Sequence, residues 1–163
     1  MRAAGPSDAV TITEYHHRCW REGFAPLLKP GVVAAIDPWG KLDRWRQWLA
    51  PGSGLTTWVA DLGDQPVGHT TVSGHELVHL FVDPDHWSRG LGRALLEVGE
   101  NLIRTAGHRQ AELHTIVGNE PALALYRSTG WVVTDRLVHN DLNGVVYDEH
   151  VLIKDLAASE RPA

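Results

Sequence analysis

ELVHLFV (76–82), DP (83–84), DHWSRGLGR (85–93) and ALLEVGENLIRTA (94–106) form one unbroken stretch, and its reading decides the fold. The first segment has a strand's spacing and breaks at Asp83-Pro84. In the last, Ala94, Leu95, Val98, Leu102, Ile103 and Ala106 share one helical face, and Arg93, Glu97, Glu100 and Arg104 the other. Gly107 sits where a C-terminal cap belongs. Between strand and helix lies Arg89-Gly90-Leu91-Gly92. First-turn N–H groups have no partner inside a helix and point toward incoming negative charge. Glycine lets the backbone approach an anion that a Cβ would hold off. Strand, glycine loop and helix start together predict a site for a phosphate-bearing ligand. A dinucleotide-binding fingerprint would need a third glycine where Leu95 stands, and a P-loop would need Gly-Lys-Ser/Thr, which the chain lacks.

VDPDHWSRGLGRAL (82–95) resembles the coenzyme A signature of the GNAT (Gcn5-related) N-acetyltransferase superfamily, whose core reads R/Q-x-x-G-x-G/A. Asn119-Glu-Pro-Ala-Leu-Ala-Leu-Tyr126-Arg-Ser-Thr-Gly130-Trp131 is similar to its second signature, N-x-x-A-x-x-x-Y-x-x-x-G-F/W. The motifs stand in the family's order and separation; the resemblance spans the chain and is sharp from about Leu55 onward. It implies an α/β fold, a mixed central sheet of about seven strands flanked by about four helices. The chain departs from the pattern at Trp87, which replaces Arg/Gln, and at Ser88, which replaces a frequent glycine.

The length of 163 residues fits one domain over residues 1–163. A formal charge of −5 argues against a nucleic-acid partner, since no basic stripe neutralises phosphates. Cys19 is alone, which excludes a disulfide scaffold or cysteine-based zinc site. No stretch has the length of a membrane span and none reads as a signal peptide, so a cytoplasmic location is the default expectation.

Along the chain, Met1–Ala4 is too short to read alone, and the resemblance implies a first edge strand there. Pro6-Ser7-Asp8 starts a helix with Ser7 or Asp8 as N-cap, although Ala9–Thr13 has rival strand propensity. Lys29-Pro30-Gly31 ends that region, and a second helix falls within Pro38–Leu49. After the loop Pro51–Gly54, Leu55–Asp61 and Val67–Val72 make a hairpin around Gly63-Asp64-Gln65. Beyond the central helix come a strand at Ala111–Val117 and a helix from Asn119 to Thr129, stopped by Gly130. Trp131–His139 and Val145–Ile153 are strands joined by a turn at Asn140–Gly144, and the tail after Leu156 frays.

The resemblance implies that acetyl-CoA is the acyl-donor substrate, with its pantetheine arm added along the main chain of Leu80, Phe81 and Val82. Main-chain groups of Ser88, Arg89, Gly90, Leu91, Gly92, Arg93 and Ala94 would cradle its diphosphate. Asn119 would cap its helix and touch the coenzyme. Glu76 stands where many members place a general base, and Tyr126 where they place the acid to the leaving thiolate. His79 is the rival base; alternation puts it on the face opposite Glu76 unless the strand is bulged. Cys19 is not expected to carry an acyl group, being far in sequence from the coenzyme motif. The ten histidines show no metal-ligand spacing, so no metal is expected. Trp20, Phe24, Trp39, Trp45 and Trp48 fall where the family builds its acceptor pocket, although such residues also simply pad a sheet. The expected activity is acetyl transfer to a primary amine of a small molecule or peptide, and homodimers are common in the family. A non-catalytic acyl-CoA sensor is the rival from another class. A toxin acting on aminoacyl-tRNA is disfavoured by the acidic balance.

Overall fold

Alternating side chains in Thr56–Leu62 and Gln65–Ser73 send Val59, His69 and Thr71 to one buried face, and Gly63-Asp64 turns one strand onto the other. This hairpin starts the sheet of the computed structural model, which describes residues 1–31, 33, 41–142 and 145–157. The described order is β1 (Arg2–Ala3), α1 (Ala9–Cys19), α2 (Leu42–Trp48), β2 (Thr56–Leu62), β3 (Gln65–Ser73), β4 (Glu76–Val82), α3 (Leu91–Thr105), β5 (Gln110–Ile116), α4 (Glu120–Ser128), β6 (Val132–Leu142) and β7 (Val145–Asp155). Seven strands pair as β1-β2-β3-β4-β5-β7-β6, and only the β4–β5 pair is parallel. The expected mixed sheet is therefore present, with α1 and α2 on one face and α3 and α4 on the other.

Two cores hold these layers. Leu77, Leu96, Ile103, Leu113, Leu123, Trp131 and Leu152 fill the α3/α4 side; Ile12, Tyr15, Trp45, Leu49 and Val59 fill the α1/α2 side. Full burial of one such aliphatic side chain contributes about 1.5–3 kcal/mol. The periodic face of α3 is corrected at one position. Glu100, expected on the polar side, is buried, accepting from Trp131 Nε1 at 2.8 Å and from Lys154 Nζ at 2.7 Å. At Gly99 an added Cβ would stand 2.7 Å from Thr70 Oγ1, so the helix lies closer to the sheet than a larger residue permits.

Ala9–Thr13 is helical, as the apolar spacing requires. Asp8 precedes α1, but its carboxylate makes no cap; it pairs with Arg2 at 2.7 Å and accepts from Gly5 N–H at 2.9 Å. After Cys19 the helix widens into a π turn, Trp20–Phe24, which pitch-based reading does not show. The predicted start of the second helix at Pro38 and the turn residues Asn143 and Gly144 lie outside the described residues, as does the tail from residue 158. Among the described residues no helix is long and apolar enough to cross a membrane.

Candidate active site

β4 pairs with β5 only at Glu76↔Glu112 and Leu77↔Leu113, and past these the strands share no ladder. On its other side β4 stays paired to β3 up to Gly68↔Val82, and Asp83 N–H donates to Val67 O at 2.8 Å. Alternation from that bond turns the Phe81 main chain toward β3 and those of Leu80 and Val82 toward the opening. The Val82 carbonyl is already engaged, accepting from Trp87 Nε1 at 2.6 Å and from the Cys19 thiol at 3.1 Å. Of the segment 80–82, the main-chain groups turned to the opening and not already bonded are thus those of Leu80 and the Val82 N–H.

Below this edge, Gly90 takes φ +81° and α3 begins without a side-chain cap. Ala94 N–H donates to Gly90 O at 3.1 Å, the first bond of the helix. That corrects the cradle: Ala94 N–H is spoken for, whereas those of Leu91, Gly92 and Arg93 precede the first helical bond. An added Cβ at Gly92 would meet only Leu125 Cδ2, at 3.5 Å, so packing does not demand glycine there. Ser88 has φ +61°, the only positive value at a non-glycine among the described residues. A glycine there would be relaxed, so the substitution noted in the sequence carries strain of about 1–2 kcal/mol. Trp87, in the usual Arg/Gln place, ties the loop to the end of β4 through its indole N–H.

A cavity of about 690 Å³ follows the opening, within the usual range for small-molecule sites. Leu80, Phe81, Val82, Ser88, Gly90, Leu91, Gly92, Arg93, Asn119 and Tyr126 line it; Arg89 and Ala94 do not. Asn119 Oδ1 accepts from Ala122 N–H at 3.3 Å, the expected N-cap. Cys19 also lines the cavity, so distance in sequence does not separate it from the donor site. Burial pushes its thiol up to about 12, which keeps it protonated and unreactive.

A second cavity, about 260 Å³, adjoins the first and shares Phe24, Leu80, Phe81, Asn119, Ala122 and Tyr126 with it. Trp20, Trp45, Trp48, His16, His79, Lys41, Arg44, His114 and Glu149 also line it, with Leu77, Val78, Thr115 and Ile116. Four of the five expected aromatics are therefore present, and Trp39 lies outside the described residues. Lys41 Nζ sits 5.4 Å from the Trp20 ring centroid and Arg44 Cζ 5.7 Å from that of Trp48. The indole N–H groups of Trp20 and Trp45 are buried with no hydrogen-bond partner.

The β3–β4 register shifts so that Thr71 faces His79 while Val72 faces Leu77, leaving Val78 as the extra residue of a bulge. The bulge turns Glu76 and His79 to the same face. His79 lines the second cavity, and Glu76, half-buried at the start of β4, does not. Desolvation first, then the charge of Lys41, lowers His79 to about 4. His79, partly buried, adjoins two buried histidines. His16 and His69 lie 6.1 Å apart by ring centroid, and His69 and His79 5.8 Å. His69 Nδ1 shares a 2.8 Å hydrogen bond with Tyr15 OH. Burial holds His16 and His69 well below the usual imidazole range as well. These rings are neutral at physiological pH. Among the described residues no three His, Cys, Asp or Glu side chains gather as metal ligands.

Glu149 of β7 is the residue that sequence reasoning missed. Burial raises its carboxyl, the Asn140 amide donating at 2.8 Å works the other way, and the negative charge of Glu76 adds to the rise. In sequence it is one of the acids in the polar run Asp148-Glu149-His150, with nothing to single it out, and sheet order alone brings it to the cavity. Tyr126 stands between the two cavities, and desolvation raises its phenol well above 10.

This architecture is shared with solved N-acetyltransferases. The PaiA N-acetyltransferase of Thermoplasma acidophilum, solved in complex with coenzyme A, superposes with a TM-score of 0.78 at 15% identity, covering 94% of this chain and 96% of that one. Residues 11–131 match the acetyltransferase (GNAT) family, and the chain belongs to that family. Among curated relatives, the mycothiol acetyltransferase of Nocardiopsis dassonvillei is 35% identical over 112 residues, 69% of this chain and 28% of that protein. The peptidyl-lysine N-acetyltransferase YjaB of Escherichia coli is 39% identical over 88 residues, 52% of this chain and 55% of that protein. The chain thus spans about a quarter of the first relative's length and about half of the second's.

Proposed function

We propose that the protein is an acetyl-CoA-dependent N-acetyltransferase that acetylates a primary amine of a small molecule or peptide by direct transfer in a ternary complex. The observation that carries this reading is the pair of cavities meeting at Tyr126, one beneath a glycine loop and helix start, the other lined by aromatic and titratable groups. Leu80 and the Val82 N–H hold the pantetheine arm, and the N–H groups of Leu91, Gly92 and Arg93 hold the diphosphate.

The amine nitrogen attacks the thioester carbonyl, the carbon–sulfur bond breaks, and a proton passes from nitrogen while sulfur gains one. An aliphatic amine with a pKa near 10.4 arrives charged and must first lose a proton. Glu149 receives it, because its raised carboxyl is a better base than an exposed one. Glu76 is the next acceptor outward. His79, near 4, is the weaker base. Tyr126 hydrogen-bonds the leaving sulfur.

Free-thiol release from acetyl-CoA, measured across polyamines, aminoglycosides, amino acids and peptides, tests the reading. Turnover with at least one amine is expected, and Glu149→Gln lowers kcat/KM roughly ten- to a thousand-fold, more than Glu76→Gln does. The reverse order assigns the base to Glu76. Stabilisation by acetyl-CoA without thiol release from any amine contradicts the activity and leaves a binding sensor.

A further inference from the structure

The aromatic lining of the second cavity would suit a bare cationic amine, but its charges do not. Lys41 lies over Trp20 and Arg44 over Trp48, so two cations already occupy the ring faces that would attract another. Neither has an acidic partner among the described residues, whereas Arg46 on the same helix pairs with Asp43 at 3.0 Å. Lys41 is half-buried, and desolvation and the neighbouring Arg44 both disfavour its charge. The buried Trp20 and Trp45 indoles add two N–H donors that have no acceptor. Buried donors without acceptors are costly, and an oxygen-rich anion suits the two cations. Across the β4–β5 opening, β7 presents Glu149, a carboxylate for an ammonium group.

We propose that the acceptor is an amine bearing a carboxylate or phosphate within a few bonds of its nitrogen, with Lys41 and Arg44 reading the anion and Glu149 the amine. This rests on the acetyltransferase reading. It names the substrate class: amino acids and amino-phosphates fit, and polyamines are repelled by the two cations.

The test uses matched pairs: α-amino acids against their carboxamides, phosphoethanolamine against ethanolamine, with putrescine and spermidine as cationic controls. Two readouts are taken on the wild-type protein: thiol release from acetyl-CoA, and tryptophan fluorescence titration with coenzyme A present. At least one anionic member should exceed its neutral partner by tenfold or more in kcat/KM or affinity. The preferred pair identifies the anion as carboxylate or phosphate. Lys41→Met and Arg44→Gln should bring that ratio toward one, mainly through KM, and Arg46→Gln, outside the cavity, should leave it unchanged. Lys41→Glu should turn the preference toward putrescine. Equal use of anionic and neutral partners, or a preference for polyamines, overturns the proposal, as does a ratio that survives both cavity substitutions. Anion-selective binding lost in Lys41→Met, with no thiol released from any amine, upholds the site and overturns the activity instead.

Discussion

A phenol buried like that of Tyr126 stays protonated far above neutral pH, so it offers a developing thiolate a hydrogen bond rather than its proton. Even an unshifted tyrosine near 10 gives its proton to a thiolate near 8.5 only uphill, by about 2 kcal/mol, and burial makes that climb steeper. Tyr126→Phe should therefore lower kcat by roughly ten- to a thousand-fold and leave acetyl-CoA affinity nearly unchanged, which steady-state kinetics beside a binding titration will read. A variant that instead loses affinity would make Tyr126 a packing residue of the donor cavity. The same scale explains Cys19. It touches the donor cavity, yet its thiol is kept protonated and bonded to the Val82 carbonyl, so inertness comes from burial and not from remoteness.

At the scale of elements, the loop from Trp87 to Gly92 couples β4 to α3. Gly92 has room for a Cβ in the folded protein, so packing does not require glycine, and the proposed diphosphate site is what would. Gly92→Val should leave the free protein's melting temperature within a few degrees of wild type and abolish the rise caused by saturating acetyl-CoA. That rise corresponds to about 2.7 kcal/mol at a hundred times Kd. A retained shift would place the diphosphate elsewhere. This element was legible in the chain because its signals are local: alternation fixes Glu76–Val82, and a glycine at each end marks the central helix. The bulge at Val78 and the π turn at Trp20–Phe24 were not, since neither leaves a mark in apolar periodicity. The engagement of Ala94 N–H follows from the helix's start at Leu91, which the glycine spacing leaves open by a residue or two.

Over the whole molecule, a cluster of two buried and one partly buried histidine joins α1, β3 and β4 and links stability to pH. His16, His69 and His79 all have folded pKa values below the unfolded value near 6.5, so below that pH the unfolded chain binds more protons. Their contribution is complete above about 6.5 and is lost as pH falls, with His79 protonating near 4 and the other two held well below the usual imidazole range. Each group contributes a slope of up to about 1.4 kcal/mol per pH unit, roughly 4 together, whereas Glu149, shifted upward, opposes them singly. Melting temperature should fall on the order of 10 °C per pH unit at its steepest between pH 6 and 5. A flat profile there would mean that the rings are hydrated or already paired. This cluster and Glu149 escaped the sequence because residues 16, 69, 79 and 149 lie far apart in it, and only the packing of α1 with sheet order and register brings His16, His79 and Glu149 to one cavity. The two signatures, by contrast, each lie within one short segment.

The central claim is direct transfer between two cavities that meet at Tyr126. Initial velocities of thiol release, with acetyl-CoA varied at several fixed concentrations of an active amine, test it most directly. The account predicts lines that intersect, and no acetyl group on the protein when the amine is withheld. Parallel lines together with acetylated Cys19 would contradict it.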